Sequence, residues 1–204
     1  MRWAVALLLA ATLGGTAAPG HAQDAATTRV YLMRGLGGRA TSGGVDEIGM
    51  RIRQTSPDAV VRVGDWEEWP AFAADAAGHP RDRIVFVGFS MGAKAAGLAA
   101  DRLAAGGAPV TVIGLDPYCV DAAVAPSRLV RAVSFYANTS GAAGRMAGAA
   151  NLRVGEGLDH LAFPRSPQVQ ALVIGAALGA RPGTTAALDR AAEPYSQRFQ
   201  RKNR

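Results

Sequence analysis

Arg83-Ile84-Val85-Phe86-Val87-Gly88-Phe89-Ser90-Met91-Gly92 is the stretch on which the reading of this chain turns. After its first residue it is apolar through Val87, as a central parallel strand covered on both faces must be. It then enters a Gly-x-Ser-x-Gly pattern without a spacer, and Lys94–Ala105 follows as an Ala/Leu-rich segment closed by Gly106-Gly107. Strand, tight turn and helix in direct succession predict a parallel sheet with a serine exposed at its carboxyl edge. The expected inward face of that helix is Ala96, Leu98, Ala99 and Leu103.

Working outward, the same alternation of short β-branched runs with longer helical segments continues in both directions. Toward the C-terminus, Pro109–Leu115 and Arg128–Tyr136 read as strands, Asn138–Ala150 as a mobile Gly/Ala/Ser-rich loop and Asn151–Val154 as a short edge strand. Pro167–Leu178 reads as a final helix packed by Val169, Leu172, Val173 and Ala176. Toward the N-terminus, Ala59–Val63 is a strand, and Glu67–Ala77 a helix interrupted near its start by Pro70. Arg29–Met33 is the first strand, and Val45–Gln54 a helix with Val45, Ile48 and Ile52 on one face. The predicted fold class is α/β, a three-layer α/β/α sandwich with a mainly parallel central sheet.

The chemistry follows from that placement. A serine on a strained strand-to-helix turn is a candidate nucleophile, so Ser90 is assigned that part, and the N–H of Met91 at the helix start is aimed at a developing oxyanion. The second donor is expected from the loop after the first strand, Arg34-Gly35-Leu36-Gly37-Gly38, with Leu36 first and Gly35 and Gly37 beside it. Arg34, Gly35 and Phe89 are the expected substrate contacts; for Arg34 the alternative is a salt bridge across the site.

A serine hydroxyl needs a base, usually an imidazole held by a carboxylate. His79 precedes the nucleophile strand and belongs at the far end of the sheet. His160, in Gly155-Glu156-Gly157-Leu158-Asp159-His160, follows the last strand and is the expected base. Four carboxylates lie between Ser90 and His160: Asp116, Asp121, Glu156 and Asp159. Asp116 is favoured because it ends an apolar strand beside Ser90, with Pro117 stiffening its turn. Asp159 is disfavoured because neighbours in an extended segment point to opposite faces.

Taken in order, strand-Arg34-Gly35-Leu36-Gly37, Gly88-Phe89-Ser90-Met91-Gly92-Ala93, Leu115-Asp116-Pro117 and Gly157-Leu158-Asp159-His160 resemble the small lidless bacterial α/β-hydrolases described as lipase-like or esterase-like. Gly114-Leu115-Asp116-Pro117 also resembles the segment that carries the acid in pancreatic-type lipases. The resemblance spans roughly Arg29 to Leu178. It implies a minimal α/β-hydrolase fold and a serine esterase with an open site, acting on a small-molecule or lipid ester through a Ser90, Asp116 and His160 triad. Arg34 and Phe89 depart from it, since many lipases carry His before the oxyanion glycines and before the nucleophile.

Composition bounds the rest. Met1-Arg2-Trp3 followed by Ala4–Ala11 and by Gly20-His21-Ala22 reads as a secretory signal over residues 1–22, so the expected location is periplasmic or secreted. Residues 23–180 suit one domain. The formal charge of +6 is concentrated at the end: Arg181, Arg190, Arg198, Arg201, Lys202 and Arg204 stand against Asp189 and Glu193 in a basic tail, residues 181–204. Without stacking aromatics or a DNA-binding motif this tail does not predict a nucleic-acid partner; a partly disordered extension touching an anionic envelope is the expectation. Cys119, the one cysteine, is expected to be a buried small side chain. No His/Asp/Glu cluster has metal-ligand spacing, so neither metal nor cofactor is expected. Two alternatives to a hydrolase remain open at this level: an acyltransferase, and a non-catalytic envelope-binding protein on the same fold.

Overall fold

The computed structural model describes residues 26–118, 121–137 and 145–179. The expected signal segment, Cys119, the basic tail and the first part of the expected mobile loop lie outside the described residues.

Among the described residues six strands form one sheet: β1 (Thr28–Arg34), β2 (Val60–Asp65), β3 (Arg83–Phe89), β4 (Val110–Leu115), β5 (Val130–Tyr136) and β6 (Ala150–Arg153). Their order is β2-β1-β3-β4-β5-β6, and every pairing is parallel. Among the described residues four helices cover it: α1 (Gly38–Thr55), α2 (Trp69–Ala77), α3 (Met91–Ala105) and α4 (Pro167–Ala177).

Alternation along each strand divides the core into two halves. Val30, Leu32, Val85, Val87, Ile113 and Leu115 pack under α1 and α4, whose Ile48, Ile52, Val169 and Val173 complete that layer. Tyr31, Met33, Ile84, Phe86, Val110 and Val112 point the other way, onto Phe72 and Ala76 of α2 and the alanines of α3. The sandwich therefore has the expected three layers. Because β1 lies between β2 and β3, the chain leaves β1 and β3 toward opposite faces, which opens a crevice beyond their carboxyl ends. In open α/β sheets that crevice is where ligands bind.

Several elements differ from the expectations, each for a physical reason. Leu98 faces solvent: at about 100° per residue it lies some 200° round the helix from Ala96, and the buried stripe runs instead through Ala95, Ala96, Ala99, Ala100 and Leu103. Pro70 does not interrupt a helix. It occupies the first turn of α2, where a missing N–H costs nothing, after a separate 3₁₀ turn at Trp66–Glu68. Helix α1 starts at Gly38, seven residues before the expected start, with a kink at Ser42. Its Gly43-Gly44 pair argues against helix by propensity, yet a Cβ on Gly44 would stand 2.5 Å from the carbonyl carbon of Pro164. Close packing on the 3₁₀ turn Phe163–Arg165 outweighs the propensity cost. At the end of the expected mobile loop, Met146 is fully buried and Ala147 pairs with Ala123. The Asn151 side chain fixes this segment by bonding both the N–H and the carbonyl of Met146.

Candidate active site

Ser90 joins β3 to α3 with φ 56° and ψ −121°. Positive φ is costly for a residue with a Cβ and persists only where the surroundings enforce it. Here the enforcement is close packing. A Cβ on Gly88 would lie 1.9 Å from the Gly92 carbonyl oxygen, and one on Gly92 would lie 2.2 Å from that of Met33. The two motif glycines thus let the turn close on itself and on the end of β1, while the Ser90 N–H is held by the Leu115 carbonyl of β4 at 3.0 Å. The other described non-glycine residue at positive φ is Asp116, at 39°, at the end of the adjacent strand β4. Backbone strain among the described non-glycine residues is confined to these two neighbouring strand ends.

Asp116 is 2% exposed and its oxygens have different partners. Oδ1 accepts the N–H of Ala137 at 3.3 Å, and Oδ2 meets His160 Nδ1 at 2.7 Å. A carboxylate can only accept, so this contact places a proton on Nδ1 and leaves Nε2 as the free basic nitrogen. The Phe89 ring, one residue before Ser90, stacks on the imidazole at 4.6 Å between centroids, which brings His160 to the nucleophile turn.

The other three carboxylates have other partners. Asp121 is exposed and pairs with Lys94, which holds its carboxyl below the ordinary value. Glu156 is exposed beside Arg153 at 3.4 Å, and Asp159 caps the N–H of Ala162 at 2.8 Å. His79 sits at the amino end of β3, with Nδ1 4.0 Å from Asp82.

Gly35 is pressed against Ser90: a Cβ there would stand 2.8 Å from Ser90 Cβ and 3.4 Å from Oγ. Its own N–H is spent on the Oγ of buried Ser42 at 3.1 Å. Gly35 to Gly38 form a turn closed by a 3.2 Å bond from the Gly38 N–H to the Gly35 carbonyl, with Gly37 at φ 81°. Leu36 is the first central residue of that turn, so its N–H plays no part in the closing bond. The N–H of Met91, first in α3, has no intrahelical acceptor either.

Two expected substrate contacts are otherwise employed. Phe89 is 1% exposed and belongs to the core under α1 and α4, so its ring supports His160 and presents no face to a ligand. Arg34 takes the salt-bridging alternative. Its Nε and Nη2 donate to the two oxygens of Asp46, at 2.9 and 2.5 Å, and Nη1 to Asp65 at 3.1 Å. This fork pins the ends of β1 and β2 to α1, directly behind the glycine turn. It raises the Arg34 pKa, mainly through the bonds to Asp46, and lowers that of Asp46 by the same contact.

Sequence reasoning missed Tyr118. Its ring lies 5.1 Å from the His160 ring, tilted by 44°, and unlike buried Phe89 the tyrosine is 56% accessible. The one available signal was its position two residues beyond Asp116. Leu161 (52% exposed) and Leu36 (63%) are further apolar side chains beside His160 and Gly35. An open depression of about 590 Å³ is lined by Asp159, His160, Leu161, Ala162 and Arg165. Among the described residues no three His, Cys, Asp or Glu side chains group as a metal site, and no helix is long and apolar enough to cross a membrane.

No protein-family model matches the chain, and no curated protein matches it. Among solved structures it is similar to a novel cutinase-like protein from Cryptococcus sp., at 18% sequence identity and a TM-score of 0.44, over 78% of this chain and 98% of that one. At that level the likeness lends the site residues no role; strand order and register stand on their own.

Proposed function

We propose that the protein is a serine hydrolase that cleaves a carboxylic ester or thioester. Ser90 attacks the carbonyl while His160 Nε2 takes its proton, and Asp116 holds the imidazole in the required tautomer and stabilises its charged form. The N–H groups of Met91 and Leu36 bind the oxyanion. The protonated imidazole then gives its proton to the leaving alcohol or thiol, and water activated at Nε2 releases the acyl group. No cofactor enters this scheme. The exposed apolar side chains of Leu36 and Leu161 around the site favour an ester with an apolar portion. Export by residues 1–22, to the periplasm or beyond, belongs to the same reading.

The observation that carries the proposal is the 2.7 Å contact between His160 Nδ1 and buried Asp116, made at the sheet edge where Ser90 occupies its strained turn. The test is labelling by a fluorophosphonate probe. Wild type is expected to label, and Ser90→Ala and His160→Ala are expected not to. Equal labelling of wild type and Ser90→Ala, or no labelling of folded wild type, would refute it.

A further inference from the structure

Two aromatic rings of different exposure pack beside the imidazole of His160. Phe89 is buried, comes from the strand end that carries Ser90, and stacks at 4.6 Å with 27° between ring planes. Tyr118 is exposed, comes from the segment after β4 that carries Asp116, and approaches at 5.1 Å with a tilt of 44°. One ring nitrogen is tied to Asp116. A single hydrogen bond at Nδ1 leaves the ring free to swing about that contact, because His160 lies on a turn between β6 and the 3₁₀ turn Phe163–Arg165, outside any helix or strand. Two rings packed on it remove that freedom.

We propose that Tyr118 is a positioning residue for His160, acting through its ring and not its hydroxyl, and packing beside the imidazole from an exposed position while buried Phe89 supports it from the core. This rests on the serine-hydrolase reading above. No hydrogen bond of the Tyr118 hydroxyl accompanies the ring contact among the described residues, which is why the ring is the acting part. Aromatic pairs of this kind are worth enough to bias one orientation of the imidazole several-fold, and a base displaced by about 1 Å loses much of its effect.

Tyr118 is exposed, so its replacement leaves the core intact, and the variants Tyr118→Ala and Tyr118→Phe carry the test. The readouts are the second-order rate of labelling by a small fluorophosphonate and kcat and KM for a short and a long p-nitrophenyl ester. Tyr118→Ala is expected to label roughly 3- to 10-fold more slowly and to lose kcat by a similar factor on both esters, with KM changed less than about twofold. Tyr118→Phe is expected to stay within about twofold of wild type throughout. Equal labelling of Tyr118→Ala and wild type overturns the proposal. So does a rise in KM confined to the long ester, which would make Tyr118 a substrate contact, and so does a Tyr118→Phe variant as slow as Tyr118→Ala. Ser90→Ala and His160→Ala run alongside: if they still label, the hydrolase reading itself has failed, whatever Tyr118 does.

Discussion

The carboxylate of Asp116 spends one oxygen on a backbone N–H and the other on an imidazole, and this division predicts how a conservative change behaves. Asn in its place keeps an acceptor for the Ala137 N–H, so the strand end stays fastened. It presents an amide N–H₂ where the Nδ1 proton points, and the imidazole must then adopt the other tautomer. Asp116→Asn is expected to lower kcat about 10²- to 10⁴-fold with a melting temperature within a few degrees of wild type. Ester turnover and thermal denaturation of one preparation check it, and an active Asp116→Asn enzyme would remove Asp116 from the mechanism. The sequence was informative about Ser90 because the pattern that marks its turn, Gly88 to Gly92, lies within five residues and directly between strand and helix. It left the acid open among four carboxylates because that choice depends on contacts across 44 residues, between the end of β4 and a turn beyond β6. Phe89 was legible as a member of the site but not in its part, and for Arg34 the sequence left a ligand contact and a salt bridge side by side. Whether a side chain faces a ligand, the core or a carboxylate is decided by the register of β1, β2 and β3, which local pattern does not encode.

At the scale of elements, the junction of β1, β3 and α3 depends on the lack of a side chain at Gly92. A methyl there would sit 2.2 Å from the Met33 carbonyl oxygen, a backbone atom held in the sheet and unable to step aside. Gly92→Ala is therefore expected to cost more than about 3 kcal/mol, far beyond the usual surface substitution, despite the gain in helix propensity. Equilibrium urea denaturation measures it, and a variant as stable as wild type would show that α3 can tilt away. Strand β5 offers the reverse case. The Ser134 hydroxyl is fully buried between Gly114 of β4 and Asn151 of β6 and has no hydrogen-bond partner among the described residues. An unsatisfied buried hydroxyl carries a desolvation penalty, so Ser134→Ala is expected to be neutral or to stabilise by about 1 kcal/mol. A loss of stability in the same denaturation experiment would mean that the hydroxyl is bonded after all. Strand positions were legible to within a residue or two because β-branched runs are local. The early start of α1 and the outward Leu98 were not, the first because packing on Pro164 overrides two glycines, the second because an Ala-rich helix offers several plausible inward faces.

Across the whole molecule, the ends of β1, β2 and α1 are joined by charge as well as by packing, and this sets how the protein responds to acid. The Asp46 carboxyl lies below its ordinary value chiefly because Arg34 donates to both of its oxygens, against a smaller opposing effect of burial. Asp75 is lowered likewise, first by the hydroxyl of Tyr31 and further by Arg62. A carboxyl that binds its proton less readily when folded stabilises the fold fully above the unfolded value, near 4. That stabilisation is lost as pH falls through the lower folded value. Stability is therefore expected to fall below about pH 4 through these two groups. Asp46→Asn is expected to be less stable than wild type by about 1–3 kcal/mol at pH 7, the range for hydrogen bonds to a charged partner, and to approach it by pH 2. Urea denaturation at the two pH values tests this, and an undiminished gap at low pH would mean that Asp46 stabilises by packing instead of charge. The consequence reaches the site, because the same fork lies behind the turn that carries Leu36. At pH 7, Asp46→Asn is expected to lose several-fold in kcat by loosening that turn, while a substitution of exposed Glu156 leaves kcat unchanged.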